Sequence, residues 1–360
     1  MELINATRMT AGYTMGTEPS GRESLVVVIK GTFRLPRAGE AVSLHEQQLP
    51  LVMADTFTGA PGFSAPMHEV DFAPCKPRCE VLLLGSAHAP GGRAAARVPV
   101  GLRVGGMIKR FDVVGDRYWQ AGATRIAPST PQPFLRKAIS YDVAFGGVDQ
   151  RHDDPDQHGA YTQNPVGRGY HKHLTQEWVD GQPLPNTEEE SQPVTRPDGT
   201  YRPQAFGPIG RGWDARRHFA GTYDDQWLTE QFPFLPQDFD EQYYQAAPRD
   251  QQLAAPAGGT EVAMLNLTPD GIRQFTLPAF EAPVHVFPKR GEREDLNAVL
   301  DTVVFEPDAE QFSISWRVRR PLRRNMFEIE QILVGKRGTE WWQRREEVVF
   351  PVRVERLARL

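Results

Sequence analysis

Residues 312–319 alternate without exception: Phe312, Ile314, Trp316 and Val318 are apolar, and Ser313, Ser315, Arg317 and Arg319 are polar. Successive side chains leave a strand on opposite faces, so a period of two predicts a strand with one dry and one wet face. Val348, Phe350, Val352 and Val354 repeat the pattern further on, with Pro351 placing that strand at a sheet edge. Leu25–Ile29 is instead a continuous apolar run closed by Thr32-Phe33 and a Pro36/Gly39 turn, as suits a buried strand. Val81–Leu84, closed by Gly85, is a second such run. Val98–Val104 and Met107–Val114 flank Gly105-Gly106, a dipeptide suited to the positive φ of a tight hairpin. Val262–Leu267, Val284–Phe287 and Val299–Phe305 are further predicted strands.

Helices have little room in this chain. Its 31 prolines and 32 glycines make about 17% of 360 residues, against about 12% on average. Proline removes a backbone donor and glycine weakens helix interiors, so turns and short elements are expected. The credible helices lie within 211–253. Asp224-Asp225 caps one from Trp227 towards Gln231, stopped by Pro233, and Asp238 with Glu241 forms a capping box for another through Tyr244.

Three regions follow: an N-terminal β region over 1–147, a loop-rich and short-helix region over 148–259, and a C-terminal β region over 260–360. Residues 148–210 form a long Pro/Gly-rich excursion ordered by packing on the β core, and Ala254–Gly259 (AAPAGG) reads as a hinge or linker. The predicted class is mainly β, a β-rich α+β fold of antiparallel sheets or a sandwich, with few short helices.

The balance of charge narrows the function. A net charge of −5 provides no electrostatic footprint for nucleic acid. Two cysteines in 360 residues fit a reducing compartment better than a disulfide scaffold. The start, MELINATRMTAGYTMG, lacks the basic region and apolar core of a secretory leader, and no apolar run approaches the roughly 20 residues that cross a bilayer. These features predict a cytoplasmic protein with no membrane contact.

Residues that could carry chemistry have bland readings. Cys75 and Cys79 form a C-x3-C with no second pair to complete a zinc site. His152, Asp153, Asp154, Asp156 and His158, with His171 and His173, lack the spacing of a cation loop and read as a solvated turn, so no metal and no cofactor is expected. GLRVGG over 101–106 fails the spacing of a dinucleotide loop. Arg317–Arg324 is basic but lies on the outward face of the predicted strand. Among Asp224, Asp225, Asp238 and Asp240, helix caps account for Asp224 and Asp238 without catalysis. The chain is therefore expected not to be an enzyme; the alternatives are a hydrolase using Asp224 and Asp238, or a carbohydrate-binding or cell-wall-binding β-sandwich with Trp341-Trp342 as its platform.

The densest constellation is 206–240, FGPIGRGWDARRHFAGTYDDQWLTEQFPFLPQDFD. Arg211, Trp213, Arg216, Arg217, Tyr223 and Trp227 are the residue types enriched at interface hot spots and form the candidate partner-binding set. The competing reading buries Trp213 and Trp227 as core, with the arginines snorkelling or pairing with Asp224, Asp238 and Asp240; core packing is favoured for the tryptophans, leaving the arginines as the interface candidates.

That segment resembles the type VI secretion effector-associated chaperone/adaptor family. Further blocks resemble the same family in order: LVVVIKGTFRL (25–35), DFAPCKPRCEVLLLGSAHAPGG (71–92), YDVAFGG (141–147), NPVGRGY (164–170) and APRDQ (247–251). The likeness spans about 20–320 as one integrated domain. Cys79-Glu80 departs from the family's Thr-Asp pair, and 136–139 from its Met-Pro-Leu. The resemblance implies a non-catalytic factor of Gram-negative bacteria whose partners are a toxic effector protein and the VgrG spike or PAAR-like tip that it helps to load.

Overall fold

The computed structural model describes residues 1–122 and 124–343. The proposed edge strand of Val348 to Val354 lies outside the described residues. The chain is β-rich, with three principal sheets and a few short helices. The largest sheet has six strands, in the order Gln252–Leu253, Cys79–Leu83, Val299–Glu306, Gln311–Pro321, Glu23–Arg34 and Thr10–Thr17. Strands from the two ends of the chain thus sit side by side at its centre. A five-stranded antiparallel sheet runs Thr187–Glu188, Met107–Val114, Arg97–Val104, Glu261–Leu265, Ile272–Thr276. The third sheet has four strands, Glu2–Asn5, Ile329–Val334, Pro283–Pro288 and Glu294–Asn297.

The other predicted strands are present, and the hairpin turns at Gly105, whose φ is 53°. Pairing is not purely antiparallel, however. Val299–Glu306 runs parallel to Cys79–Leu83, and Glu2–Asn5 runs parallel to Ile329–Val334. Each of these pairs joins segments far apart in sequence, so no local turn signal announces it.

Gln311–Pro321 also departs from its predicted wet face. Phe312, Ile314, Trp316 and Val318 do join Leu25, Val27, Ile29 and Phe33 in the main core. Ser313, Ser315 and Arg317 are nevertheless buried as well. Residues 48–52 and 71–74 lie over that second face. Arg317 fastens them, donating from Nη1 to the carbonyls of Asp71 and Ala73 at 2.7 Å each and from Nε to Asp301 at 2.6 Å. Lys30 reaches Asp71 at 3.0 Å. An arginine in a strand reads as a solvent marker, but here it ties a covering loop to the sheet.

The six- and five-stranded sheets share one core, where Phe275 approaches Phe305 and Phe312 at 6.1 and 5.5 Å. A smaller second core gathers Val179, Leu184, Val194 and Tyr201 of the loop-rich region around Trp119 and Phe145. The indole of Trp119 donates to Gly169 O at 3.1 Å. Packing therefore orders this excursion, and its one α-helix, α1 (Gln176–Val179), is a single turn.

Candidate functional site

The segment 206–240 divides into an embedded half and a projecting half. Phe206 is fully buried against Phe111 at 4.6 Å, and Trp213 meets the edge of Tyr141 at 5.2 Å. Gly210 lets the chain turn beneath the Trp213 indole, since a Cβ there would lie 2.5 Å from Nε1. Trp213 precedes α2 (Asp214–Arg217), whose Arg216 points inward and Arg217 outward.

Arg216 is 2% exposed. It donates to Glu69 Oε1 at 2.8 Å, to Tyr243 O at 2.7 Å and to Ile209 O at 3.0 Å. Arg211 joins the same network, binding Asp55 at 2.9 Å and Glu69 at 2.8 Å. Burial pushes the Asp55 carboxyl up, but the Arg211 hydrogen bond, the Val70 amide and the two guanidinium charges outweigh it and hold it below its ordinary range. These groups line a cleft of about 390 Å³ with His68, Pro66, Pro165, Val166 and Ile209. Arg211, Trp213 and Arg216 are therefore brought together, but as interlocked walls of the cleft.

Glu80 extends this pattern of buried charge. It is fully buried with Lys76, and its carboxylate also accepts from Gln245 Nε2 at 2.9 Å and from the amides of Ala246 and Ala247. Burial raises its pKa, while the attraction and hydrogen bond of Lys76 and the other donors bring it below the usual glutamate value.

Arg217, Tyr223 and Trp227 lie apart from the cleft, Arg217 and the 219–240 lobe facing solvent. Within the lobe, α3 (Asp225–Glu230) is capped by Asp224, which accepts from Trp227 N at 2.8 Å. Asp238 does not cap the next turn, contrary to the sequence expectation. Asp240 does, accepting from Gln242 N at 2.8 Å ahead of the 3₁₀ turn Glu241–Tyr244. Asp238 instead crosses the lobe to Thr222, accepting from its amide at 2.9 Å and its hydroxyl at 2.7 Å. Those two bonds hold its carboxyl below the usual range, the opposite of what a general acid needs. Trp227 is half-buried as the lobe's pillar. Its ring meets Tyr223 at 4.7 Å and Phe232 at 5.7 Å, and its Nε1 donates to Phe234 O at 2.9 Å.

Tyr223, Leu228, Phe232 and Phe234 of the lobe are exposed by 53, 57, 63 and 47%. Sequence reasoning found Tyr223 and passed over Leu228, Phe232 and Phe234. The available signal was a run of large apolar residues with neither strand nor helix period. Asp55 and Glu69 were equally missed, since Arg211 and Arg216 are remote in sequence, and so was Glu80, whose Lys76 is four residues away but whose Gln245 and Ala246 donors are not.

The other candidates are placed as follows. Cys79 is buried, and Cys75 is half-buried with its thiol pushed up to about 12 by burial and the neighbouring Glu241. His152 and His173 rings lie 5.3 Å apart beside Trp178, while His171 is buried separately. Among the described residues, no group of three or more His, Cys, Asp or Glu side chains is arranged to hold a metal ion. Trp341 and Trp342 stand perpendicular, 4.8 Å apart, with Trp342 against His285 and Arg293, so the pair forms no flat platform. No described helix is long and apolar enough to cross a membrane.

The model of a bacterial family described as uncharacterized conserved proteins, DUF2169, matches residues 20–317. The chain belongs to this family. Its matched span takes in the cleft, the lobe and the central strands of the six-stranded sheet. No curated protein and no solved structure matches the chain.

Proposed function

We propose that this protein is a non-catalytic cytoplasmic adaptor of a type VI secretion system, binding a cognate toxic effector and helping to load it onto the VgrG spike or its PAAR-like tip. The ordered blocks of likeness to the effector-associated chaperones motivate the reading. The observation that carries it is the 219–240 lobe, which displays four large apolar side chains on a scaffold fixed by its own hydrogen bonds. Exposed apolar patches of this kind mark interaction surfaces, and a prefixed one loses little entropy on binding.

Addition of a partner strand is a poorer fit. The outer strand of the four-stranded sheet, Glu294–Asn297, is four residues long, carries Glu294 and Asp295 and is preceded by Arg293. Short charged edges are how sheets discourage pairing. Within 206–240, Arg217, Tyr223 and Trp227 belong to the solvent-facing side, and Arg211, Trp213 and Arg216 support it.

Affinity purification of the tagged protein from its native host, paired with a secretion assay in a deletion strain, tests the reading. The expected result is recovery of a toxin with a spike or tip protein, and loss of toxin export on deletion. Unchanged export together with no such recovery would overturn it.

A further inference from the structure

Residues 219–240 contain five carboxylates, Asp224, Asp225, Glu230, Asp238 and Asp240, and no lysine or arginine. All five side chains are exposed. Among the described residues, none of them lies within ion-pair distance of a cation. This contrasts with their surroundings: Glu241, immediately after the lobe, pairs with Arg319, and Glu69 beneath it pairs with Arg211 and Arg216. Arg78 borders the groove along Gln237–Gln242, but its guanidinium donates to Gln252 O. Tyr223, Leu228, Phe232 and Phe234 are thus exposed in a segment whose only charges are negative; Arg22, next to the Gly21 on which the Phe234 ring packs, donates to Leu322 O.

We propose that this lobe docks a cationic amphipathic segment of a partner protein, with apolar side chains on the aromatic face and Lys or Arg at the rim near Asp225 and Glu230. The adaptor reading supplies the owner of that segment, but the chemistry rests on the lobe alone. Apolar contact provides most of the affinity, and the acidic rim selects the sign of the partner and speeds encounter. Tyr223, Trp227 and Phe232 also offer ring faces on which a guanidinium or ammonium can rest. An acidic amphipathic segment meets the same apolar face and is repelled at its rim.

The test uses the full chain and two labelled peptides of about 14 residues, long enough for an amphipathic helix. One is a Leu/Lys helix and the other the Leu/Glu helix with the same leucine spacing, each followed by fluorescence anisotropy. The Leu/Lys peptide should bind at least about tenfold more tightly, and raising salt well above about 0.1 M should weaken it several-fold. Asp225→Asn/Glu230→Gln, which keeps shape and removes charge, should weaken it about three- to tenfold. Leu228→Ser/Phe232→Ser should weaken both peptides by about tenfold or more, with circular dichroism unchanged because both side chains are exposed.

Equal affinity for the two peptides, binding of neither, or Leu/Lys binding undiminished in both double variants would each overturn the proposal. Purification of the Leu228→Ser/Phe232→Ser variant from the host separates the two readings. If the wild type recovers toxin and spike proteins and the variant does so equally, the lobe proposal fails and the adaptor stands. If the wild type recovers neither while the peptide results hold, the adaptor fails and the lobe stands.

Discussion

Arg216 and Arg217 are adjacent in sequence and opposite in circumstance. Arg216 is encased by Glu69, Ile209 and Tyr243, whereas Arg217 faces solvent. Replacing Arg216 with Ala leaves Glu69 to Arg211 alone at hydrogen-bond distance and strands the carbonyls of Ile209 and Tyr243, and should cost about 3 kcal/mol in urea denaturation. Arg217→Ala should stay within about 0.5 kcal/mol. The segment's composition disclosed that arginines matter there, but not which one is buried, because the deciding partner Glu69 is 147 positions away from Arg216. His171 gives a pH signature. Burial and nearby Arg151 lower its pKa from 6.5 to about 4, against the pull of Asp149. Its folded value lies below its unfolded value, so the unfolded chain takes up the proton first. The stability held above pH 6.5 is lost as pH falls through that window towards 4. Thermal melts should show His171→Gln flattening the decline between about pH 6.5 and 5, above the range where most carboxylates titrate.

At the level of elements, alternation in 312–319 identified the strand and its core face correctly, and misjudged the other face. Period alone reports which residues share a side, and polar residues on that side are compatible with water or with a covering loop. The loop's anchor, Arg317 on the carbonyls of Asp71 and Ala73, spans 246 and 244 positions and leaves no local trace. Glycine gives a sharper test of element packing. A Cβ on Gly115, just after the Met107–Val114 strand, would lie 1.7 Å from the carbonyl oxygen of Gln132, whereas one on Gly106 meets nothing within 4 Å. Gly115→Ala should therefore lose about 2 kcal/mol or more, and Gly106→Ala little, by comparison of urea midpoints. In the lobe, Asp224→Ala removes the α3 cap and should cost about 1 kcal/mol of local stability, read as faster amide exchange over 225–231.

At the scale of the molecule, the first described strand pairs with the last. Glu2–Asn5 pairs in register with Gln331 to Val334, and both segments lie outside residues 20–317 that match the family. Ile332, Leu333 and Val334 are fully buried. Deleting residues 1–8 should expose the apolar edge of Ile329–Val334 and drive self-association, visible by light scattering as protein concentration rises. The same pairing sets how the protein bears load. Because Glu2–Asn5 and Ile329–Val334 run parallel, tension between residue 1 and residue 335 slides one along the other and strains all their hydrogen bonds together. A hairpin pulled at its open end would release them one after another. Optical-tweezers traces pulled from these two positions should rise to a single rupture, while pulling across Met107–Val114 and Arg97–Val104 from their open end should peel at lower force.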